Sequence, residues 1–466
     1  MLDGLEATEL KLSEVSAGLR IDAEMYQKIY LETEVLLKQK DFSTLNNEAV
    51  SIKKGIFDIS ADCYVESGIP FIRISNLKNM VIDENDIIFI PEAEHENNQE
   101  TALIRNDVIL SKTAYPAASL VTLEECNTSQ DTIAVKLKTN SKCNSHYLVT
   151  FFNSRYGLTQ MRRWFTGNIQ MHLNLTDCKE LFIPLLASPF QEQIKFTFEK
   201  SIELKEQSKA LYAEAESLLL AELGLQDWQP TEETIAVKSF AASFGSTGRL
   251  DAEYYHPEKQ RVLDHLAKMP GQSVGQHFVS VEETLNPLQS VSNESVQNYD
   301  LDDALQFFLD EKEAIPAFEL GSTKNRFKKG DILVSRLRSY LKEIALADVS
   351  ETSNCVGSSE FIVLRPRNKV ISAELLLVYL RSLPVQQILR WCQSGSNHPR
   401  FMQEDLLSIK IPDRLITIQS EIIKIIQDAI KAHRESKRLL EIAKRGVELA
   451  IEQNEGAALA WMSAAT

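Results

Sequence analysis

Four polar loops hold the side chains of this chain whose types and spacing suit chemistry, and that chemistry is hydrogen bonding, not bond making. In the first half, Lys112, Thr113 and Tyr115 follow the apolar run Val108-Ile109-Leu110-Ser111. Further on, Arg162, Arg163, Asn168, Gln170, His172 and Asn174 precede Leu181-Phe182-Ile183-Pro184. In the second half, Arg336, Arg338, Tyr340 and Lys342 follow Ile332-Leu333-Val334-Ser335. There, Arg390, Gln393, Ser396, Asn397, His398 and Arg400 precede Ser408-Ile409-Lys410-Ile411-Pro412. The arginine fork matches guanine O6 and N7, asparagine or glutamine matches adenine N6 and N7, and the remaining cations suit phosphate. Any one of these positions is ordinary loop polarity. As whole loops, doubled at matching places, they favour a surface that reads a DNA groove.

Covalent chemistry finds no such support. The cluster Gly245-Ser246-Thr247-Gly248-Arg249 lacks the lysine and the spacing of a phosphate-binding loop. No glycine-rich dinucleotide turn occurs, no Asn/Asp-Pro-Pro-Tyr/Phe stretch of the kind used for amino-group methylation, and no HExxH or paired-cysteine metal motif. His172 and Cys178 lie close in sequence, but no orienting acid accompanies them.

Such loops need rigid elements to hold them, and the sequence supplies these in duplicate. Arg20-Ile21-Asp22-Ala23-Glu24-Met25-Tyr26 recurs as Arg249-Leu250-Asp251-Ala252-Glu253-Tyr254-Tyr255, with five of seven residues identical. The strand-like runs Asp131–Val135 and Glu360–Leu364 correspond, as do the helical stretches Tyr147–Trp164 and Leu375–Trp391. An interval near 228 residues is too long for a solenoid unit and means two homologous halves.

Each half closes on a long helix. Phe190, Ile194, Thr197, Ser201, Leu204, Ser208, Leu211, Ala215 and Leu218 are spaced by alternating steps of four and three. Adding 228 gives Ile418, Ile422, Ile425, Ala429, Ala432, Ser436, Leu439, Ala443 and Gly446, in the same register. This is the seam spacing of helices packed lengthwise, each roughly 50 Å long at about 1.5 Å per residue. Ile194, Leu204, Leu211 and Leu218 are expected to face Ile422, Ile425, Ala432 and Leu439, with the small residues letting the rods approach closely.

The bulk numbers set limits. A chain of 466 residues, 44% hydrophobic and 25% charged, can bury more than one core. No apolar run is long enough for a membrane span, and the acidic start Met1–Glu9 is unlike a signal peptide. Six scattered cysteines without paired spacing argue for a reducing cytosol and against disulfides or a zinc site. The net charge of −16 opposes loose, sequence-blind DNA binding. It is segregated, however: residues 1–100 carry 9 Lys+Arg against 20 Asp+Glu (−11), and residues 321–412 carry 14 against 8 (+6).

A resemblance now becomes specific. Gly167, Gln170, Asn174 and Leu175, then Ile183-Pro184, then Gln191-Glu192-Gln193-Ile194 opening a long helix, resemble the DNA specificity subunits of type I restriction–modification systems. Gly68-x-Pro70-x-Ile72-Arg73 and Asn106-Asp107-Val108-Ile109-Leu110-Ser111 do so as well. The resemblance covers residues 18 to 450. It implies two α/β target-recognition domains related by a pseudo-twofold and separated by a pair of long antiparallel, coiled-coil helices. It adds Arg73 and Asn76 to the candidate DNA contacts. It further implies double-stranded DNA with a split site, two methyltransferase subunits docked on the helices, and restriction/translocase subunits. S-adenosylmethionine belongs to the methyltransferase partner, and this chain is non-catalytic, without cofactor or metal. The family's Pro-Pro turn is Leu185–Pro189 here, and Gly-x-Pro-x-x-Arg has no clean second copy.

The expected division is a lead-in (1–17), a first recognition domain (18–188), a first spacer helix (189–225), a connector (226–248), a second recognition domain (249–414), a second spacer helix (415–453) and a small-residue tail (454–466) expected to fray. Two rivals stand beside this reading: a specificity subunit of a methylation-only or type II-like system, and a coiled-coil scaffold that never touches DNA. With the helix pair as a ruler, seven residues inserted in each helix would change the gap between half-sites and leave both half-site sequences alone.

Overall fold

A computed structural model describes residues 6–11, 15, 21–167, 171–289 and 294–466. Arg20 and most of the lead-in lie outside the described residues. The chain forms two compact units, one from Met1–Lys205 with Arg434–Thr466, the other from Glu206–His433.

In the first unit, the β-branched runs that alternate or stay apolar become two larger sheets, beside two-stranded pairs such as Phe42–Thr44 with Phe182–Pro184. One sheet has six strands. Ala49–Lys54 pairs with Thr132–Leu137, which pairs with Val108–Ser111, then Ala118–Leu120, then Val81–Ile82 (the last pairing parallel) and finally Leu77–Asn79. The other holds Ile88–Ile90, Ile69–Ile72, Glu125–Thr128 and Leu103–Ile104, with a parallel pair at its centre.

The second unit repeats the central pairings, in two sheets of five strands each. Phe278–Val281, Phe361–Pro366, Ile332–Ser335, Ile344–Ala347 and Phe308–Leu309 form one sheet. Its parallel pair, Ile344–Ala347 with Phe308–Leu309, matches that of Ala118–Leu120 with Val81–Ile82 but closes the sheet, with no further strand beyond it. Cys355–Gly357 pairs parallel with Ser295–Tyr299 in the other. The turns match too. Asn106 (φ 72°) and Gly330 (φ 81°) both enter the central strand from the left-handed region, which asparagine and glycine tolerate best. The next residue, Asp107 or Asp331, accepts a backbone N–H three residues upstream through its carboxylate, at 2.9 Å in each case.

Tyr147–Trp164 reads in sequence as one helix but is two, Ser145–Asn153 and Arg155–Trp164, as are Ala373–Arg381 and Leu383–Arg390 in the second unit. Ser154 and Ser382 stand at the two breaks. Ser154 Oγ accepts the Gly157 N–H, and Ser382 Oγ donates to the Tyr379 carbonyl. A short polar side chain that satisfies backbone groups locally competes with the helix ladder and wins there.

The long helices are Ser188–Leu223, of 36 residues, and Gln419–Glu452, of 34. At both starts a glutamine bonds back across the fold: Gln191 Oε1 accepts the Asn144 N–H, and Gln419 Oε1 accepts the Ser372 N–H. Each unit contains a paired stretch of the two helices. In the first, Ser201 Oγ meets Ser436 Oγ and Glu455 accepts the Ala187 N–H. In the second, Ser208 Oγ donates to the Ala429 carbonyl and Arg414 pairs with Glu222. Rising numbers on one helix meet falling numbers on the other, so the pairing is antiparallel in both. Ile194, Ile422, Ile425, Ala432 and Leu439 are buried, and Leu204, Leu211 and Leu218 half-buried.

The C-terminal tail does not fray. Glu455–Ala465 is a helix capped by Asn454, whose Oδ1 accepts the Ala457 N–H. Met462 is buried against Gly446, where a side chain would collide with its sulfur. Alanine-rich composition is also strong helix-forming composition.

Candidate nucleic-acid interface

The four predicted loops come together as two pairs, one in each unit. In the first unit the loop after Val108–Ser111 crosses to the hairpin between Thr166 and His172. Leu173 N–H donates to the Lys112 carbonyl (2.8 Å) and Ala114 N–H to the Met171 carbonyl (3.3 Å). In the second unit Phe401 N–H donates to the Arg336 carbonyl (3.2 Å) and Arg338 N–H to the Pro399 carbonyl (3.0 Å). The hairpins correspond as well: Thr166 pairs with His172, and Ser394 exchanges two backbone bonds with Arg400. Position for position, Lys112 matches Arg336, Ala114 matches Arg338 and His172 matches Arg400.

Backbone strain sits at this junction. Ala114 (φ 63°), Arg338 (φ 47°) and Lys342 (φ 54°) are left-handed without being glycine. Such residues cost about 1–3 kcal/mol each and persist where surrounding bonds over-determine them. Here the loop-to-hairpin bonds at Ala114 and Arg338 do so.

The side chains divide into exposed and internal groups. In the first unit Arg162 and Asn174 are exposed, as is the Tyr115 ring, whose hydroxyl donates to the Ile74 carbonyl at 3.0 Å. Asn174 also stands before the short helix Leu175–Lys179 and donates to Asp177. His172 is half-buried and its Nδ1 finds no hydrogen-bond partner among the described residues. Lys112 is half-buried too. Burial, helped by nearby Lys54, pulls its pKa below the usual lysine range, against the opposing pull of Asp131. Asn168 and Gln170 lie outside the described residues.

Two expected contacts, Asn76 and Arg163, are turned into the fold, and a third, Arg73, is held in a surface ion pair. Asn76 is buried: its Oδ1 accepts the Arg73 N–H and its Nδ2 donates to the Asp83 carbonyl. Arg73 pairs with Asp86 at 2.7 Å. The Arg163 side chain is 10% exposed, donates to the Met25 carbonyl and pairs with Glu34. In sequence, two adjacent arginines at a helix end carry no mark of which one turns inward.

In the second unit Arg390, Ser396, Asn397 and His398 are exposed, and Arg338 and Lys342 half-exposed. The Arg390 guanidinium lies 5.3 Å from the Trp391 ring, which stacks on His256 at 3.7 Å. Arg338 Nη2 reaches His398 Nδ1 at 3.4 Å. Arg336 and Arg400 both bond to Glu360, at 3.0 and 2.7 Å. The Arg400 hydrogen bond first, then that from Arg336, holds the Glu360 carboxyl below its ordinary range. Glu360 and its counterpart Asp131 were absent from the predicted set. The signal was in the sequence, since an acid begins both of the strands matched as Asp131–Val135 and Glu360–Leu364.

Among the described residues, no group of three or more His, Cys, Asp or Glu could hold a metal ion, and no helix is long and apolar enough to cross a membrane.

No family model matches the chain, and no curated protein does. Solved structures do. The S subunit of a type I restriction–modification system from M. genitalium is 12% identical, over 87% of this chain and 95% of that one, with a TM-score of 0.38. The HsdS subunit from Thermoanaerobacter tengcongensis is 13% identical, over 89% and 97%, with a TM-score of 0.29. A chain from work on complex assembly and conformational transition of the type I R-M system is 15% identical, over 87% and 97%, with a TM-score of 0.26.

Proposed function

We propose that this chain is the DNA-specificity subunit of a type I restriction–modification system. Each unit reads one half of a split double-stranded site, and the paired long helices dock two methyltransferase subunits, with restriction/translocase subunits joining the complex. The chain itself does no covalent chemistry; S-adenosylmethionine is held by the methyltransferase partner, and the complex works in the cytoplasm. The observation that carries the reading is the doubled loop pair. Two units bring the same two loops together through the same backbone bonds, and decorate them with different hydrogen-bonding and cationic side chains. One scaffold with two decorations is what two different half-sites require. The motif resemblance around Gly167–Ile194 supports the same conclusion.

Methylome sequencing of the source cells, with and without this gene, tests the proposal. Loss of methylation at one split motif is the expected result; an unchanged methylome refutes it.

A further inference from the structure

Glu360 stands immediately before the strand Phe361–Pro366, where the two loops of the second unit meet. Its carboxylate, 20% exposed, takes an arginine from each loop. The two arginines are not used alike. Arg400 gives Nε and Nη2 to Glu360 and Nη1 to the His398 carbonyl, so all three of its nitrogens are engaged. Arg336 gives only Nε, at 3.0 Å, and among the described residues no hydrogen bond occupies its two Nη groups. Its side chain is 45% exposed. The backbone is fixed as well: Arg336 N–H donates to the Glu360 carbonyl, and the Arg336 carbonyl accepts from Phe401.

An ion pair this open to water contributes little to stability, so folding alone gives weak reason for two arginines on one acid. Orientation gives a better one. A guanidinium held at Nε presents its remaining planar edge without a rotamer search, which lowers the entropy lost when that edge forms two parallel bonds. We infer that Glu360 is a positioning residue that aims the Arg336 fork at a base edge in one half-site, and that Arg400 is the buttress and not a reader. This rests on the DNA-reading function proposed above. In the first unit the same three backbone positions hold Lys112, Asp131 and His172, which offer no fork. The two units therefore read by different chemistry at this point.

The test restores source cells lacking the gene with the full chain carrying Glu360→Gln, Arg336→Lys or Arg400→Lys, and sequences the methylome. Lysine keeps the charge but loses the bidentate edge. Arg336→Lys and Glu360→Gln should each relax discrimination at one base of one half-site by about tenfold or more. The other half-site stays intact and reports that the chain folds and assembles. Arg400→Lys, which still offers Glu360 a cation, should alter discrimination by less than about threefold. Equal loss in Arg400→Lys and Arg336→Lys overturns the assignment. So does an unchanged motif with Arg336→Lys, or a uniform fall in methylation with Glu360→Gln without relaxation at any base. Should the unaltered chain direct no motif, the DNA-reading proposal fails, and this one with it.

Discussion

Ser201 and Ser436 share a hydrogen bond, Oγ to Oγ at 3.0 Å, with both side chains buried in the helix pairing of the first unit. A polar pair in an apolar seam fixes register, because a slipped alignment would leave both hydroxyls unsatisfied. Either serine alone changed to alanine should cost about 1–2 kcal/mol. The double variant should cost clearly less than the sum of the two. Urea titration of all four proteins checks the coupling; strict additivity would remove the registering role.

Gly157 has no room for a side chain. A Cβ there would lie 2.2 Å from the Phe151 carbonyl oxygen, on the preceding helix across the Ser154 break. Backbone cannot yield as a flexible side chain can, so Gly157→Ala should destabilise by about 2 kcal/mol or more. The second unit has Val385 one residue after Pro384 at this place, so the restriction belongs to the first unit. A lowered thermal midpoint, with Gly245→Ala as the exposed control, is the measurement.

His146 is buried beside Phe198, whose ring meets it edge-on at 5.3 Å. Burial, with Lys195 nearby, pulls its pKa from 6.5 down to about 4, and Glu199 at 3.9 Å is too far to hold the charged form. Between those values the unfolded chain binds a proton that the folded chain refuses. Stability should therefore fall as pH drops from about 6.5 toward 4, by on the order of 3 kcal/mol, and this contribution should then level off. His146→Gln should flatten that part of the pH profile, seen as the difference between the two denaturation series.

Arg162 and Arg390 occupy equivalent last turns, 228 residues apart, and both are exposed. As phosphate contacts they should act without regard to sequence. Changing each to alanine in the assembled complex should weaken specific and non-specific DNA alike. It should also reduce the salt dependence of log K by about 0.9 per residue. Binding isotherms across a salt series decide it; a change in sequence preference instead would make them base readers.

Much of the fold was legible because duplication doubled every signal. A lone Asp-Val-Ile-Leu-Ser run is a weak strand, but that run after Asn106 and the similar Asp-Ile-Leu-Val-Ser after Gly330 support each other as a turn and a strand. The seam of the long helices was readable because packing repeats at fixed steps. What escaped was local competition. Ser154 breaks a helix that periodicity alone would continue, and the alanine-rich tail passed for disorder. At the interface the loops were legible as wholes, whereas single side chains were not. Whether an arginine faces water or turns inward, as Arg162 and Arg163 do, depends on partners such as Glu34 that lie far away in sequence. Glu360 differs, since its place at the start of a doubled strand is visible in the sequence and only its two arginine partners are not.

The first unit is assembled from both ends of the chain, Met1–Lys205 and Arg434–Thr466, while the second is one unbroken span. A ribosome therefore releases the later-encoded unit whole before the earlier one has all its parts. Translation halted before Arg434 would strand the first two hundred residues, exposing Phe190, Phe198 and the rest of a core that also needs Leu439 and Val447. Chains halted there should go to proteolysis through the first unit, not the second.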